Sequence, residues 1–235
     1  MVNILISGYY GFDNIGDESI LRTLVSSLRE HIPDCSLTVL SHNPASTREK
    51  YGVEAVDRMS PMAILRAVKK CDMLISGGGS LLQDVTSSKS LHYYLSIIRC
   101  AEFFHKKVFI YSQGIGPIDR PGNRRAAAAA LKRADGIVVR DERSASLLEE
   151  IGIARDKVVI TADPVIRMKK PDGDVGAEIL RKAGVSLDGR LTVGWAIRER
   201  DTDSRFVKEL LRSIQMMKDK YNAQSVLIPF HYEED

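Results

Sequence analysis

Short apolar runs alternate along this chain with longer stretches in which apolar residues recur at helical spacing. The short runs are rich in β-branched residues and are bounded by Gly, Pro and Asp, which is typical of buried strands. This alternation predicts an α/β fold with a parallel sheet. The predicted strands are Asn3 to Ser7, Leu37 to Ser41, Met73 to Ser76, Val108 to Ser112, Gly136 to Arg140 and Val158 to Thr161, and the predicted helices lie near residues 17–32, 61–71, 90–106, 122–134 and 143–151.

The pattern changes after Asp163 and Pro164, where a charged, turn-rich stretch begins. Such a stretch is typical of a connection between domains. Beyond it we predict a strand at 191–197, a helix at 204–221 and a strand at 224–230. The chain is therefore divided into an N-terminal domain at 1–166, a linker region at 167–190 and the beginning of a second domain at 191–235. Because about 45 residues cannot bury an independent core, we expect this second domain to be truncated.

Composition narrows the classes of function. The chain has 235 residues, 44% of them hydrophobic, and a net charge of only +3 with mixed signs, so it offers no electrostatic surface for nucleic acid. We find no apolar stretch of the roughly 18 to 20 residues that a membrane span requires, and no signal segment, so we expect a cytoplasmic protein. The three cysteines are far apart and the five histidines show no metal spacing, so we expect neither disulfides nor a metal or other cofactor.

Five unusual loops follow predicted strands. In open α/β sheets ligands bind beyond the carboxyl ends of the strands, where loops converge and helix N-termini point outward. We therefore expect these loops to line one crevice. They are residues 8–17, 77–80, 113–117, 140–143 and 163–164.

The first loop, GYYGFDNIGDE, has the glycine spacing of a phosphate-binding loop, but acids stand where such a loop needs Lys and then Ser or Thr. We expect Asp17 to be the N-cap of the following helix, which would occupy the anion site. Asp13, Asn14 and Asp17 would then accept hydrogen bonds from the hydroxyl groups of a sugar acceptor. A carboxylate beside such a hydroxyl, Asp17 in particular, is a candidate general base.

The second loop contains Gly77, Gly78 and Gly79, whose backbone can adopt angles closed to other residues. Their N–H groups can line an anion nest, with the hydroxyl of Ser80 as a further donor. The alternative is a tight strand-to-helix turn that only needs small residues. Gln113, at the start of the third loop, is a further candidate for polar contact with an anionic donor.

Arg140 ends an apolar strand, where a guanidinium has no packing role but can reach the ligand edge and grip a carboxylate or phosphate. The alternative is an ion pair with Asp141 or Asp163, or a cap on a neighbouring helix. Arg143 is expected in the first turn of the next helix, facing solvent.

Three further residues are weaker candidates. Asp84 is a second candidate catalytic carboxylate or else a surface acid on a helix. Arg198 and His231 follow the two strands of the second domain and are candidates for the facing side of a cleft, or else ordinary surface residues.

Taken together, these motifs resemble the polysaccharide pyruvyl transferase family, in particular its bacterial cell-wall branch, the CsaB type. The resemblance covers almost the whole chain and rests on motifs that occur in the family's order. They are GYYGFDNIGDE at 8–18, SGGGSLLQD at 76–84, SQGIGP at 112–117, VRDERS at 139–144 and TADP at 161–164.

The resemblance implies two Rossmann-like domains in a GT-B-like architecture, with phosphoenolpyruvate as co-substrate and a sugar as acceptor. The implied product is a pyruvate ketal, and Arg140 is the implied donor-binding arginine. In the cell-wall branch the implied acceptor is N-acetylmannosamine on a lipid-diphosphate-linked precursor at the inner face of the cell membrane, which implies peripheral membrane contact. The family also carries an Arg and a His in the second domain for which this chain shows no counterpart. The resemblance does not fix the oligomeric state.

Other functions share this architecture, because a fold does not determine chemistry. One alternative is a nucleotide-sugar-dependent glycosyltransferase, and another is a non-catalytic domain that binds sugar phosphates. A dinucleotide-dependent dehydrogenase fits less well, because the first loop lacks the Gly-x-Gly-x-x-Gly spacing.

Overall fold

A computed structural model describes residues 1–85, 87–170, 173–197 and 204–229. The chain divides into two compact units, Met1–Met168 and Lys169–Asp235. Arg198 and His231, both candidates from the sequence, lie outside the described residues. The strands of the first unit are β1 (Val2–Tyr10), β2 (Cys35–Ser41), β3 (Glu54–Asp57), β4 (Met73–Gly77), β5 (Lys107–Gln113), β6 (Gly136–Val139) and β7 (Val158–Ile160). Its α-helices are α1 (Ile15–His31), α2 (Pro44–Tyr51), α3 (Pro61–Lys70), α4 (Ser88–Phe103), α5 (Pro121–Leu131) and α6 (Glu142–Glu150).

The seven strands of the first unit form one parallel sheet in the order β3-β2-β1-β4-β5-β6-β7. The chain runs outward from β1 to β3 and then returns to place β4 on the other side of β1. The strand order therefore reverses between β1 and β4. In open α/β sheets this reversal opens a crevice at the carboxyl ends of the two strands, since their following loops diverge there.

The sheet is covered by apolar side chains on both faces. Along β1 the side chain of Leu5 packs into one hydrophobic cluster, whereas Ile4 and Ile6 pack into the other. Alternate residues of a strand point to opposite faces, so this division is what a doubly covered sheet requires. All three residues are at most 1% exposed. The buried core fixes the sheet and leaves the loops at its carboxyl edge as the surface available for ligands.

All six strands predicted in the first unit are present, but β3 and α2 were not predicted. β3 has only four residues, two of them acidic. α2 has no apolar stripe and is defined by its ends instead: the side chain of Asn43 caps it, Pro44 begins it, and Gly52 ends it in the left-handed conformation with φ 61°. Hydrophobic periodicity therefore could not reveal these two elements.

The second unit contains β8 (Thr192–Ile197) and β9 (Gln224–Pro229), which pair in parallel, and α8 (Ser204–Tyr221) lies between them in the chain. These elements match the predicted β-α-β pattern. α7 (Gly173–Lys182) falls in the range that we expected to be a linker, so that range is not simply a connection. Across the described parts of both units, every helix is too short or too polar to span a bilayer.

Candidate functional site

The carboxyl ends of β1, β4, β5 and β6 bring four loops together. We call them the first loop (residues 8–18), the glycine loop (77–80), the Gly-Pro turn (113–117) and the Arg140 loop (140–143). The backbone N–H of Gly114 donates to the carbonyl of Gly79 at 2.9 Å, and the N–H of Arg140 donates to the carbonyl of Gln113 at 3.1 Å. The glycine loop, the Gly-Pro turn and the Arg140 loop are thus linked through their main chains. The sequence-predicted motifs do meet at one edge of the sheet.

The glycine loop is shaped by left-handed backbone angles and close packing. Gly78 and Gly79 have φ values of 64° and 68°, which side chains other than glycine rarely adopt. A Cβ atom on Gly78 would lie 2.1 Å from Cγ2 of Ile20. The N–H of Gly78 donates to the carbonyl of Tyr111 at 3.0 Å. Because the N–H of Gly78 is already bonded to the carbonyl of Tyr111, it is not a donor of the predicted anion nest. The nest is therefore smaller than the glycine triplet and centres on Gly79 and Ser80.

Arg140 reaches the glycine loop and also pairs with acids. Its Nη2 donates to Oγ of Ser80 at 2.8 Å. Its Nη1 lies 3.1 Å from a carboxylate oxygen of Asp163, and its Nε lies 3.6 Å from one of Asp141. Both alternatives expected for Arg140 therefore apply: its guanidinium lies at the rim of the crevice, and it forms ion pairs there. Its side chain is 31% exposed, so a ligand can approach it.

Gly114 makes room for this guanidinium. A Cβ atom at position 114 would lie 2.8 Å from Nη2 of Arg140 and 2.9 Å from Oγ of Ser80. Atoms that are not bonded to each other do not approach so closely without displacement. The absence of a side chain at this position therefore allows the contact between Arg140 and Ser80.

Asp141 fixes the beginning of α6 behind Arg140. Its Oδ1 accepts from the backbone N–H of Ser144 at 2.8 Å and from the hydroxyl of Ser144 at 2.7 Å. The Ser144 hydroxyl oxygen in turn accepts from the N–H of Ile115 at 2.8 Å, which joins α6 to the Gly-Pro turn. Partial burial opposes ionisation of Asp141, but the bonds from Ser144 and the charge of Arg140 outweigh it and lower the pKa of the carboxyl.

The first loop is capped differently from our expectation. The N-cap of α1 is Asn14, whose side chain accepts from the N–H groups of Gly16 and Asp17, so the prediction of Asp17 as the N-cap was wrong. Asn14 reaches these donors because its backbone is extended just before the helix begins, whereas Asp17 already lies in the first turn. The Asp17 carboxylate instead faces the glycine loop: its Oδ1 would be 2.9 Å from a Cβ atom on Gly79.

The other acidic groups of the first loop bind the protein itself. Asp13 forms an ion pair with Lys50 at 2.6 Å. Glu18 accepts from the N–H of Gly11 at 2.8 Å and from the hydroxyl of Tyr51 at 2.5 Å. Burial, together with Glu18, raises the pKa of that tyrosine. α2, which the sequence did not predict, therefore anchors this loop through Asp13 and Glu18, and the Asp17 carboxylate lies beside the glycine loop.

Asp84 has a structural role. Its carboxylate accepts from the N–H groups of Asp119 at 2.9 Å and Arg120 at 3.1 Å, and from Nδ2 of Asn123 at 2.8 Å. Burial opposes its ionisation, but these three donors lower its pKa, and the residue is 8% exposed. This environment contradicts both expectations for Asp84, since a surface acid would be exposed and a general base needs access and a higher pKa.

Gln113 is also buried. Its Nε2 donates to Oγ of Ser76 at 2.9 Å, while its Oε1 is buried without a hydrogen-bond partner. Its side chain is 0% exposed, so the predicted contact with a donor is not open in this conformation.

Arg58 is a residue that the sequence reasoning missed. It follows β3 at the same edge of the sheet and is only 6% exposed. Its Nη1 donates to the carbonyl of Gly8 at 3.1 Å and its Nη2 to the hydroxyl of Tyr94 at 3.2 Å. Among the described residues it has no ion-pair partner. The signal was an arginine directly after a strand, as at position 140, but β3 is too short and too polar to be recognised from the sequence.

Aromatic rings surround this buried guanidinium. The centroids of Tyr9, Phe12, Tyr93 and Tyr94 lie 5.6, 5.1, 4.8 and 5.6 Å from Cζ of Arg58. Phe12 also stacks between Tyr9 and His42, with ring centroids 4.1 Å and 4.4 Å away and nearly parallel planes. Tyr9 and His42 are exposed. We call Tyr9, Phe12 and His42 the ring stack. Cation–π contacts stabilise a guanidinium that has no carboxylate, so Arg58 fixes the ring stack at the rim.

The rim can therefore bind an anion with Arg140, Ser80 and the N–H of Gly79, and it holds a carboxylate and exposed aromatic rings on the side of the first loop. In the described ranges, no group of three or more His, Cys, Asp or Glu side chains is arranged to hold a metal ion. What the arrangement supports is recognition of an anionic group beside a polar, ring-bearing ligand.

Solved structures define the class of fold. The chain is similar to HepE from Anabaena, solved with UDP-glucose, with a TM-score of 0.59 and 11% identity over 99% of this chain and 70% of that one. It is similar to the UDP-GlcNAc 2-epimerase from Neisseria meningitidis, solved with UDP-GlcNAc, with a TM-score of 0.61 and 15% identity over 97% of this chain and 66% of that one. The protein thus has the α/β fold of GT-B-like enzymes, as predicted.

Sequence comparison defines the family. The family model described as polysaccharide pyruvyl transferase matches residues 14–235, so the chain belongs to the polysaccharide pyruvyl transferase family. It is also 24% identical to the amylovoran biosynthesis protein AmsJ from Erwinia amylovora. The alignment has 239 positions and covers 84% of this chain and 57% of that protein. The chain thus spans little more than half the length of this curated relative.

Proposed function

We propose that the protein transfers a pyruvyl group from phosphoenolpyruvate to a sugar of a polysaccharide or its precursor, leaving a pyruvate ketal. Membership of the pyruvyl transferase family supports the reaction type. The observation that carries the proposal is the contact of Arg140 with Ser80, beside Gly114, at the carboxyl ends of β4, β5 and β6. A guanidinium and backbone donors at this point suit a small anionic donor.

The donor side consists of Arg140 and the glycine loop. Arg140 donates toward an acidic group of phosphoenolpyruvate, with the Ser80 hydroxyl and the N–H of Gly79 beside it. Gly78 gives the loop its shape rather than a donor, because its N–H donates to the carbonyl of Tyr111. Gly77 joins the loop to β1 through its carbonyl, which accepts from the hydroxyl of Tyr10. Gln113 joins β5 to β4 next to this side of the site, because its Nε2 donates to Oγ of Ser76.

The acceptor side consists of the first loop and the ring stack. Exposed aromatic faces suit the apolar faces of a sugar ring. Asp17, next to the glycine loop, is our candidate for the base that takes the proton of the attacking hydroxyl. Asp13 and Asn14 remain candidate acceptors for other hydroxyls, although Asp13 already pairs with Lys50 of α2 and Asn14 caps α1. We leave Asp84 out of the proposed reaction, because three donors already satisfy its carboxylate.

The proposed reaction balances without a redox cofactor. A sugar hydroxyl adds to the central carbon of the enol, its proton goes to the base, and an acid supplies a proton to the methylene carbon, which becomes a methyl group. A second hydroxyl of the same sugar then attacks that carbon and gives its proton to the departing phosphate, as the bond to the phosphate oxygen breaks with its electron pair. The products are the cyclic ketal and inorganic phosphate. Arg140 would stabilise the charge of the intermediate.

The acceptor itself is a further proposal. From the resemblance to the cell-wall branch of the family, we propose N-acetylmannosamine on a lipid-diphosphate-linked precursor. The modification would then take place at the cytoplasmic face of the membrane, and the protein would meet its substrate through a peripheral contact.

The test is an assay of the full-length protein with phosphoenolpyruvate and a panel of acceptors, among them an N-acetylmannosamine disaccharide on a lipid diphosphate. We expect phosphate release that depends on the acceptor, and a product whose mass has increased by one pyruvate ketal. UDP-glucose and UDP-GlcNAc are the comparison donors. Sugar transfer from either one, with no use of phosphoenolpyruvate, would favour a glycosyltransferase instead. Binding of both ligands without any transfer would favour a non-catalytic domain.

A further inference from the structure

A cavity of about 420 Å³ opens beside Arg140 and extends the donor side of the site. It runs from Ser80 and Arg140 along the Gly-Pro turn to the first turns of α6. Arg143, in the first of these turns, lines this cavity and is exposed. A ligand held by Arg140 therefore shares a continuous space with a second arginine.

The arginines of this cavity differ in how their charge is balanced. Arg124 pairs with Glu150 at 3.3 Å, and its Nε donates to the carbonyl of Ile118 at 2.7 Å. Arg140 is shared by Asp141 and Asp163. Arg143 has no ion-pair partner in the part of the chain that the structure describes. It is therefore the cation that is free to meet an anionic group from outside.

We propose that Arg143 binds the phosphate of the donor while Arg140 binds its carboxylate, an assignment that rests on the proposed function. Phosphoenolpyruvate carries two anionic groups, and one guanidinium grips only one of them in bidentate fashion. The phosphate leaves during the reaction, when its bond to the central carbon breaks and its bridging oxygen takes the electron pair. Arg143 is exposed at the mouth of the cavity, so it can stabilise that charge and release the product to solvent.

One acid of the cavity opposes a phosphate at this place. Asp119 lines the cavity, is exposed and forms no ion pair with any described residue. Its carboxylate would repel a phosphate next to Arg143. This repulsion gives the proposal a reciprocal test, because removing the charge of Asp119 and removing that of Arg143 must change phosphate binding in opposite directions.

The experiment measures binding of phosphoenolpyruvate, pyruvate and inorganic phosphate to this chain by calorimetry or NMR titration. We expect Arg143→Gln to weaken the binding of phosphoenolpyruvate and of phosphate about tenfold and to leave the binding of pyruvate unchanged, as the loss of one charge-assisted contact predicts. Arg140→Gln should weaken the binding of pyruvate instead. Asp119→Asn should strengthen phosphate binding severalfold. The matched control is Arg125→Gln, on the exposed side of α5 outside this cavity, which should change none of the three affinities.

The outcomes separate this inference from the proposed function. If Arg140→Gln weakens phosphoenolpyruvate but Arg143→Gln does not, the inference is wrong and the proposed function stands. Equal weakening of pyruvate and phosphate by Arg143→Gln would also overturn it, and so would unchanged phosphate binding in Asp119→Asn. If the protein does not bind phosphoenolpyruvate, the proposed function is wrong and the assignment of Arg143 is wrong with it.

Discussion

Arg58 and Arg140 both follow a strand at the carboxyl edge of the same sheet, yet their surroundings differ in charge and in exposure. Arg58 is 6% exposed and lies among four aromatic rings, bonded to a carbonyl and a phenol. Arg140 is 31% exposed and lies between two carboxylates and a serine hydroxyl. The same residue type in the same topological place has thus been given two environments.

The difference indicates what each guanidinium can do. A buried cation that donates from Nη1 and Nη2 to fixed neighbours, as Arg58 does, stabilises those neighbours, and removing it leaves buried acceptors unsatisfied. A half-exposed cation at the mouth of a cavity can exchange an internal carboxylate for an external one at little cost. We therefore assign Arg58 to positioning of the first loop and Arg140 to the ligand. Changes at the two positions should separate effects on stability from effects on activity.

The largest effect is expected for Arg140→Gln. Loss of a charged donor at a reacting anion typically lowers kcat/KM by about 10² to 10³. The exposed ion pairs that are lost should alter the free energy of unfolding by less than about 1 kcal/mol. The measurement is phosphate release from phosphoenolpyruvate by the full-length protein, together with a urea unfolding curve. Unchanged turnover would remove Arg140 from the site and end the comparison.

The second prediction concerns Arg58→Met, which keeps an unbranched side chain but removes the donors and the charge. We expect the free energy of unfolding to fall by about 2 to 4 kcal/mol, because the Gly8 carbonyl and the Tyr94 hydroxyl lose their partner. Urea unfolding of this chain measures the change. Arg66→Met, on the exposed surface of α3, is the matched control and should stay within about 0.5 kcal/mol. An Arg58→Met protein with unchanged stability would show that the ring stack does not depend on the cation.

How far the sequence predicted this site depended on the kind of signal. Strand positions and the common edge of the loops followed from hydrophobic patterning and from the geometry of parallel sheets, and these expectations agree with the structure. The anchoring of the first loop did not follow, because it depends on α2, whose ends are set by Asn43 and Gly52 and not by an apolar stripe. Periodicity reports burial, and α2 buries little.

Individual polar residues were harder to predict than their loops. The sequence predicts Asp17 as the N-cap of α1, whereas Asn14 is the N-cap in the structure. Both residue types cap helices, and backbone angles decide which one does. Asp84 was taken for a candidate catalyst because the sequence could not show that the chain folds back to present Asp119, Arg120 and Asn123 to it. Contacts between distant residues determine these roles, and one sequence does not report them.

The third prediction tests the space around Arg140 without changing its charge. In Gly114→Ala, the new methyl group would stand 2.8 Å from Nη2 of Arg140 and must displace it from Ser80. We expect a fall in kcat/KM of about tenfold to a hundredfold. The loss of stability should be less than about 1 kcal/mol, because the atoms that must shift are the end of the flexible Arg140 side chain and the Ser80 hydroxyl. Gly122→Ala is the control, because nothing lies within 4 Å of a Cβ atom there. Full activity in Gly114→Ala would mean that the contact between Arg140 and Ser80 is dispensable.

The smallest expected effect concerns the pH dependence of stability and comes from the acids that pair with Arg140. The pKa of Asp141 is lowered in the folded protein, although its partial burial acts in the other direction. A lowered folded pKa contributes stability that is complete above the unfolded pKa and is lost as the pH falls toward the folded value. Asp141→Asn keeps an N-cap acceptor but removes the charge, because Asn and Asp cap helices about equally well. The variant should therefore lose less stability than the parent between about pH 5 and pH 3.

This difference should stay below about 1 kcal/mol, because the Asp141 side chain is 45% exposed and solvent screens it. Melting temperatures of the parent and the variant across that pH range provide the measurement. Glu149→Gln, exposed on the same helix and without an ion pair among the described residues, should keep the parental pH dependence. No carboxylate of the described residues forms an ion pair with Arg58, so we expect Arg58→Met to lower stability by a similar amount at both ends of the range. A pH dependence that changes with Arg58 and not with Asp141 would reverse the assignment of the two arginines.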